Sequence, residues 1–307
     1  MKVSTREENE VGKTPRRKTA AKKAGKKPRR PGAPASEVTA ALIVIGSEVL
    51  SGRTRDANLP YLGKRLNELG VRLKETRIIP DDGDAIVRTV NECRHAYDYV
   101  FTTGGIGPTH DDITAGCIAK AFGVPLLRHP EAVARLERHY RLGEFNEARM
   151  RMADVPDGGT LIDNPVSAAP GFRIENVFVF AGVPAIMQAM FEGIKHELIG
   201  GEPLRARTFR TTLAEGRLAQ GLGDIQARFP DVEIGSYPSF TRREPGVRIV
   251  LSATDEGRLD EAAGALVSLV AELGGESQEI EITARQPRHK TAGSSVGGRR
   301  FSPPPRR

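Results

Sequence analysis

Cysteine is scarce: 307 residues contain two, Cys93 and Cys117. Both fall in helix-like segments and share no ligand spacing. That excludes a disulfide framework or a cysteine zinc site and fits a reducing compartment. Long apolar runs are missing as well. None approaches the roughly 20 residues of a membrane span, and the N-terminus lacks the apolar core of a secretory signal. It is Arg/Lys-rich, but three early glutamates and little serine set it apart from an organelle transit peptide. There is no internal repeat. The expectation is a soluble cytoplasmic protein without a membrane partner.

Charge is plentiful but uneven. The whole chain carries +7, yet residues 1–36 hold twelve Lys+Arg against three Glu, and residues 285–307 hold seven basic residues and no acid. The body between them has 27 basic and 36 acidic residues, a net −9. An acidic body argues against a nucleic-acid groove. It also means that a phosphate ligand would need local backbone dipoles or a metal ion. The stretch KTAAKKAGKKPRRPGAP is low in complexity and poor in large apolar groups, so it cannot offset its ordering entropy. With no interleaved aromatics it reads as a solubilising disordered tail, not a nucleic-acid arm. The residues from 285 on read the same way.

Between the tails, the pattern alternates. Residues 40–45, AALIVI, form a buried parallel-type strand ending at the turn Gly46-Ser47-Glu48. Asn58 to Leu69 puts four leucines on one helical face, with Gly70 as the stop. Val71 to Ile79 is a strand ending at Pro80-Asp81-Asp82-Gly83, and Asp84 is placed to cap the next helix. Tyr97 to Thr103 is the third strand. Thr109-x-x-Asp112 matches a capping box before a helix from Ile113 to Phe122. Glu131 to Leu142 and Glu147 to Met152 look helical, and 159–172 is loop-rich. A strand at Val177 to Ala181 leads through Gly182-Val183-Pro184 into a helix to Leu198. This order predicts an α/β domain over 37–203 with a mostly parallel sheet. The βαββαβ order that follows predicts a small α+β, ferredoxin-like domain over 204–284.

TTGGIGPTHDD, Thr102 to Asp112, is built for an anion on physical grounds: a Gly-rich strand-to-helix turn offers backbone N–H groups and a helix N-terminus. In a parallel sheet, ligands sit outside the carboxyl ends of the strands. Strand direction therefore gathers Glu48, Asp81, Asp82, Asp111 and Asp112 at one rim. Acids beside a phosphate-cradling loop suit a divalent cation such as Mg²⁺. Singly, each has a plainer reading: Asp81-Asp82-Gly83 as a turn, Asp111 and Asp112 as complements of a helix dipole. The loop completes neither a dinucleotide fingerprint nor a P-loop. There is no GxSxG motif, and neither cysteine sits in a basic turn, so nucleophilic catalysis has no support.

TTGGIGPTHDD after an IPDD turn resembles the molybdopterin-binding (MoaB/Mog-type) domain. GSEVLSGRTRDANLPYLGKRLNELG, NPVSAAPGF and AGVPAIMQAMF bring the resemblance closer to the N-terminal part of competence/damage-inducible protein A (CinA-like). The resemblance covers about 40–200, and 205–284 resembles the small domain that follows there, without the C-terminal amidohydrolase domain. It implies a three-layer α/β/α fold and a phosphate-bearing pterin, molybdopterin itself, or a nucleotide as ligand. It implies Asp81 and Asp112 as catalytic; with Glu48 from the same rim they are the expected metal ligands. It further implies Thr103, Gly104, Gly105, Gly107, Thr109, Ser47, Asn164 and Gly182 as ligand-binding. The activity implied is metal-dependent hydrolysis of a nucleotide diphosphate such as ADP-ribose or FAD. Molybdopterin adenylylation and non-catalytic pterin or nucleotide binding stay open beside it. A homo-oligomer, dimer or trimer, is expected. One departure stands out: the usual PGVPSEM is Ala181–Met187 here, without its proline, serine and glutamate.

Overall fold

The computed structural model describes residues 37–141, 143–241 and 244–281, so both basic tails lie outside the described residues. In chain order the first elements are β1 (Val38–Ile45), the short α1 (Ser47–Leu50), α2 (Asn58–Glu68), β2 (Val71–Ile79), α3 (Gly83–Ala96), β3 (Tyr99–Thr103) and α4 (Thr114–Phe122). Then follow β4 (Leu126–Arg128), α5 (Pro130–His139), α6 (Glu147–Met150), β5 (Asp154–Pro156), β6 (Thr160–Ile162), β7 (Gly171–Ile174), β8 (Val177–Phe180) and α7 (Pro184–Ile194).

Six of these strands form one sheet in the order β2-β1-β3-β8-β7-β6. The first four run parallel, and β7 and β6 are antiparallel additions at one edge. Alternation along β1 builds the two faces. Leu42 and Val44 face α2 and α7, joining Phe101, Phe178, Phe180, Leu62, Leu66, Met187 and Phe191. Ile43 and Ile45 face α3 and α4, joining Ile86, Val90, Cys93, Cys117 and Ile118. Helices therefore cover both faces, which is the three-layer α/β/α arrangement the resemblance implies. Phe101 and Phe180, from neighbouring parts of the sheet, stack with centroids 6.1 Å apart and planes 8° off parallel. Each fully buried phenylalanine contributes roughly 1.5–3 kcal/mol of hydrophobic stabilisation. Both cysteines are buried, and loss of water pushes their thiols above the usual range.

The second sheet comprises β9 (Arg205–Thr211), β10 (Glu233–Thr241), β11 (Glu244–Ala253) and β12 (Ser277–Glu279), with α8 (Glu215–Arg228) and α9 (Glu256–Glu272) between them. Its order is β10-β11-β9-β12, and every pair is antiparallel. Leu218, Leu222 and Ile225 of α8 and Leu259, Leu266 and Val270 of α9 pack against Phe209, Val247, Ile249 and Leu251. This is the ferredoxin-like sandwich expected of the βαββαβ order.

Several local readings differ. Gly46-Ser47-Glu48 is not a simple turn, because α1 starts at Ser47. Asp82, not Asp84, caps α3: its extended backbone lets Oδ1 accept from Ala85 N–H at 2.8 Å. Thr109-x-x-Asp112 is not a capping box. Helix α4 starts at Thr114 behind Ile113, which makes no side-chain cap, while the Asp112 N–H bonds back to the Thr109 carbonyl at 3.2 Å. Glu147 to Met152 yields only the four-residue α6 and a 3₁₀ turn. The β4–β5 ladder was not expected.

Candidate functional site

The parallel register fixes the site. Ile45 pairs with Ile79, Val44 with Thr103, and Thr103 with Phe180, so β1, β2, β3 and β8 end side by side. Four loops leave this edge: Gly46–Glu48, Pro80–Asp82, Gly104–Asp112 and Ala181–Val183. They open onto a cavity of about 500 Å³.

Glu48, Asp81, Gly104, Gly105, Gly107, Asp112, Asn164 and Gly182 of the expected site lie on its wall, with Asp111. Ser47, Thr103 and Thr109 do not line it. Ser47 is instead a partner of Asp81. Its N–H donates to Asp81 Oδ2 at 2.9 Å, and its hydroxyl accepts from the Asp81 N–H at 3.4 Å. Asp81 thereby satisfies the first turn of α1 from another strand end. Thr103 is buried, and its Oγ1 has no partner among the described residues. Asn164 lines the cavity but its amide is engaged locally. Its Oδ1 accepts from the Val166 and Ser167 N–H groups, and its Nδ2 donates to Ser167 Oγ and to the Ala169 carbonyl.

The glycine loop divides its labour. Gly104 sits at φ +105°, and a β-carbon there would lie 2.1 Å from the Ile45 carbonyl oxygen. Its N–H is already bonded to the Phe180 carbonyl at 3.1 Å. Gly104 therefore shapes the crossing of the strands. The N–H groups of Gly105, Ile106 and Gly107 form no backbone hydrogen bond among the described residues. They are the donors the loop leaves uncommitted to the backbone, as an anion-binding turn requires.

Four carboxylates, from Glu48, Asp81, Asp111 and Asp112, share this wall, and among the described residues no lysine, arginine or histidine lines it. Thr109 Oγ1 stands 2.5 Å from Asp111 Oδ1 and 2.6 Å from Asp112 Oδ2, yet it has one proton for the two. Asp112 Oδ2 also accepts the Thr109 N–H at 2.8 Å. The Thr109 hydroxyl and the loop backbone hold the Asp111 carboxyl below its ordinary range. Asp81 and Asp112 each use Oδ2 in these bonds and leave Oδ1 without a hydrogen bond among the described residues. No three His, Cys, Asp or Glu side chains converge as a metal-binding group among the described residues. Any cation here would find one or two carboxylates, as Mg²⁺ commonly does when water and phosphate complete its shell.

The apolar part of the wall was missed by sequence reasoning. Ile45, Ile106, Met152, Val183 and Ile186 line it. Met152 reads from the sequence only as the end of a helix, and nothing in its spacing marks it. A smaller cavity of about 210 Å³ adjoins the first and shares Gly105, Ile106, Gly107, Asp112 and Met152 with it. Among the described residues, no helix is long and apolar enough to cross a membrane.

Residues 41–200 match the model of the probable molybdopterin binding domain, and residues 203–275 match that of the FAD synthase middle domain. A protein of Archaeoglobus fulgidus is 36% identical over 222 residues, covering 72% of this chain and 93% of that relative. A probable FAD synthase of Caenorhabditis elegans is 34% identical over 259 residues, covering 76% of this chain. The chain spans half the length of that relative. The crystal structure of the protein CinA, of unknown function, from Thermoplasma acidophilum superposes with a TM-score of 0.50 at 30% identity, over 53% of this chain and 99% of the other. The chain thus belongs to the molybdopterin-binding-domain family and is CinA-like within it, followed by a region of the FAD synthase middle-domain type.

Proposed function

We propose that the larger cavity binds a phosphate-bearing nucleotide or pterin, and that the chain hydrolyses a nucleotide diphosphate of the ADP-ribose or FAD type with a divalent cation. One observation carries this reading: a wall with four carboxylates and loop N–H groups without a backbone hydrogen bond, and with no cationic side chain among the described residues that line it, Arg151 lying on the adjoining smaller cavity. A diphosphate entering such a cavity alone would meet like charge, so its binding calls for a cation. Asp81 and Asp112, whose Oδ1 atoms are without a hydrogen bond among the described residues, are the residues that would hold it, and Glu48 lies on the same wall. A bound cation of this type neutralises charge at phosphorus.

The chain's own residues do the rest. Gly105, Ile106 and Gly107 donate N–H groups to non-bridging phosphate oxygens. Ser47 steadies Asp81, and Thr109 steadies Asp112. Ile106, Val183, Ile186 and Met152 offer an apolar wall to a flat heterocycle and exclude water beside it. The relative named a probable FAD synthase supports a nucleotide ligand of that kind.

A second reading, binding without turnover, is favoured by Ile186. It occupies the cavity wall within the segment where the resemblance leads one to expect a glutamate, and the first turn of α7 carries no acid. Incubation of the purified chain with ADP-ribose or FAD and Mg²⁺, Mn²⁺ or Co²⁺ separates the two. Hydrolysis should appear with the wild type and be lost in Asp112→Ala. Ligand-induced thermal stabilisation with no cleavage above that of Asp112→Ala would establish the second reading and discard the first.

A further inference from the structure

We propose that Asn58 is a positioning residue of the cleft: its amide holds the Gly182 backbone against Gly104 and so sets the spacing between the β8–α7 turn and the glycine loop. The inference rests on the ligand site proposed above, although its first test does not need a ligand.

Asn58 opens α2 and is only 3% exposed. Its Nδ2 donates to the Gly182 carbonyl at 2.8 Å, across 124 positions of sequence. Gly182 in turn lies against the loop, since a β-carbon built on it would be 3.3 Å from the Gly104 Cα. Both glycines line the larger cavity. Asn58 does not line it, so it acts through Gly182.

The helix that carries Asn58 is anchored to the same partner. Tyr61 and Arg65, three and seven residues on, share its face. Tyr61 Oη donates to Glu192 Oε1 at 2.6 Å, and Arg65 Nη2 donates to the same oxygen at 2.7 Å. One face of α2 thus grips α7 near its end through Glu192 and the turn before α7 through Asn58.

The orientation of the amide is fixed. Turned over, it would set two carbonyl oxygens 2.8 Å apart, so the nitrogen must face Gly182. That leaves Oδ1 buried with no hydrogen-bond partner among the described residues. A purely structural buried amide normally has both ends satisfied.

Hydrogen exchange of the full chain, read by mass spectrometry in Asn58→Ala and Asn58→Asp, tests this. In Asn58→Ala, the Gly104 amide, bonded to the Phe180 carbonyl at 3.1 Å, should exchange at least tenfold faster in peptides spanning 101–108, with 247–253 unchanged. Asn58→Asp should match Asn58→Ala at neutral pH, where a carboxylate faces the Gly182 carbonyl. At pH 4 its protonated form donates to that carbonyl, and protection should return to the wild-type level at the same pH. Asp56 and Glu192 near α2, and Glu48, Asp81, Asp111 and Asp112 in the cavity, are present in both proteins, so their contribution cancels in that comparison. Unchanged exchange in Asn58→Ala, or no recovery of Asn58→Asp at low pH, overturns the proposal. Kinetics with ADP-ribose and Mg²⁺ form a second arm. In Asn58→Ala, kcat should fall at least tenfold with KM changed less than threefold, whereas equal kcat would count against the proposal. A wild type without turnover refutes the hydrolase reading alone, and the exchange result then decides the role of Asn58.

Discussion

The Asp112 carboxylate packs over Gly107: a β-carbon built on that glycine would lie 2.6 Å from Asp112 Oδ2. Absence of a side chain at Gly107 is what allows Asp112 to reach back to Thr109. Gly107→Ala is therefore expected to displace the carboxylate and to mimic Asp112→Ala. Hydrolysis of ADP-ribose with Mg²⁺ should drop by on the order of 10²-fold, with circular dichroism unchanged. A fully active Gly107→Ala would separate Asp112 from the chemistry.

Asp81 has two tasks, and two substitutions separate them. Asparagine keeps an oxygen for the Ser47 N–H and loses the charge. Asp81→Asn should fold with wild-type stability and lose metal-dependent turnover. Asp81→Ala should lose turnover and also about 1 kcal/mol of stability, as the helix start goes unsatisfied. Urea unfolding of the pair gives the comparison.

At Gly104 the backbone itself is the constraint, with φ +105° and the Ile45 carbonyl where a side chain would go. Gly104→Ala should cost about 2–4 kcal/mol from strain and crowding together. A denaturation midpoint within error of the wild type would mean that the strand crossing relaxes freely.

Glu192 links acid stability to the α2–α7 clamp. Hydrogen bonds from Lys195 and then Tyr61 and Arg65 draw its carboxyl down to about 2. A carboxyl depressed in the folded state stabilises above its unfolded value and loses that contribution as pH falls through the folded one. The wild type should therefore lose stability between about pH 4.5 and about pH 2. Glu192→Gln should be less stable at neutral pH and show a shallower decline over that window in thermal unfolding. The group is partly exposed, so the effect should weaken in high salt.

The sheet and the acidic rim were legible because they depend on short-range patterns. AALIVI reads as a buried strand from its run of apolar residues, and strand direction alone puts Glu48, Asp81 and Asp112 on one edge. What was not legible depends on partners distant in sequence. Asp82 and Asp84 are equally good caps on paper. Asp82 is the one used because its backbone is extended where the chain leaves β2. Thr109-x-x-Asp112 satisfies a local motif that the loop turns to a different purpose. Asn58 carries no signal at all, since its partner is Gly182, and Met152 reaches the cavity only through the fold of the segment around α6.

Neighbouring acids on the Pro80–Gly83 turn are tied to different helices. Asp81 Oδ2 receives the Ser47 N–H at the start of α1, and Asp82 Oδ1 receives the Ala85 N–H at the start of α3. A surface turn normally tolerates insertion. This one cannot lengthen between the two acids without releasing one helix or the other. The loop is a coupling pin of fixed length, and among homologues its spacing should vary less than that of the longer connection between α4 and β7.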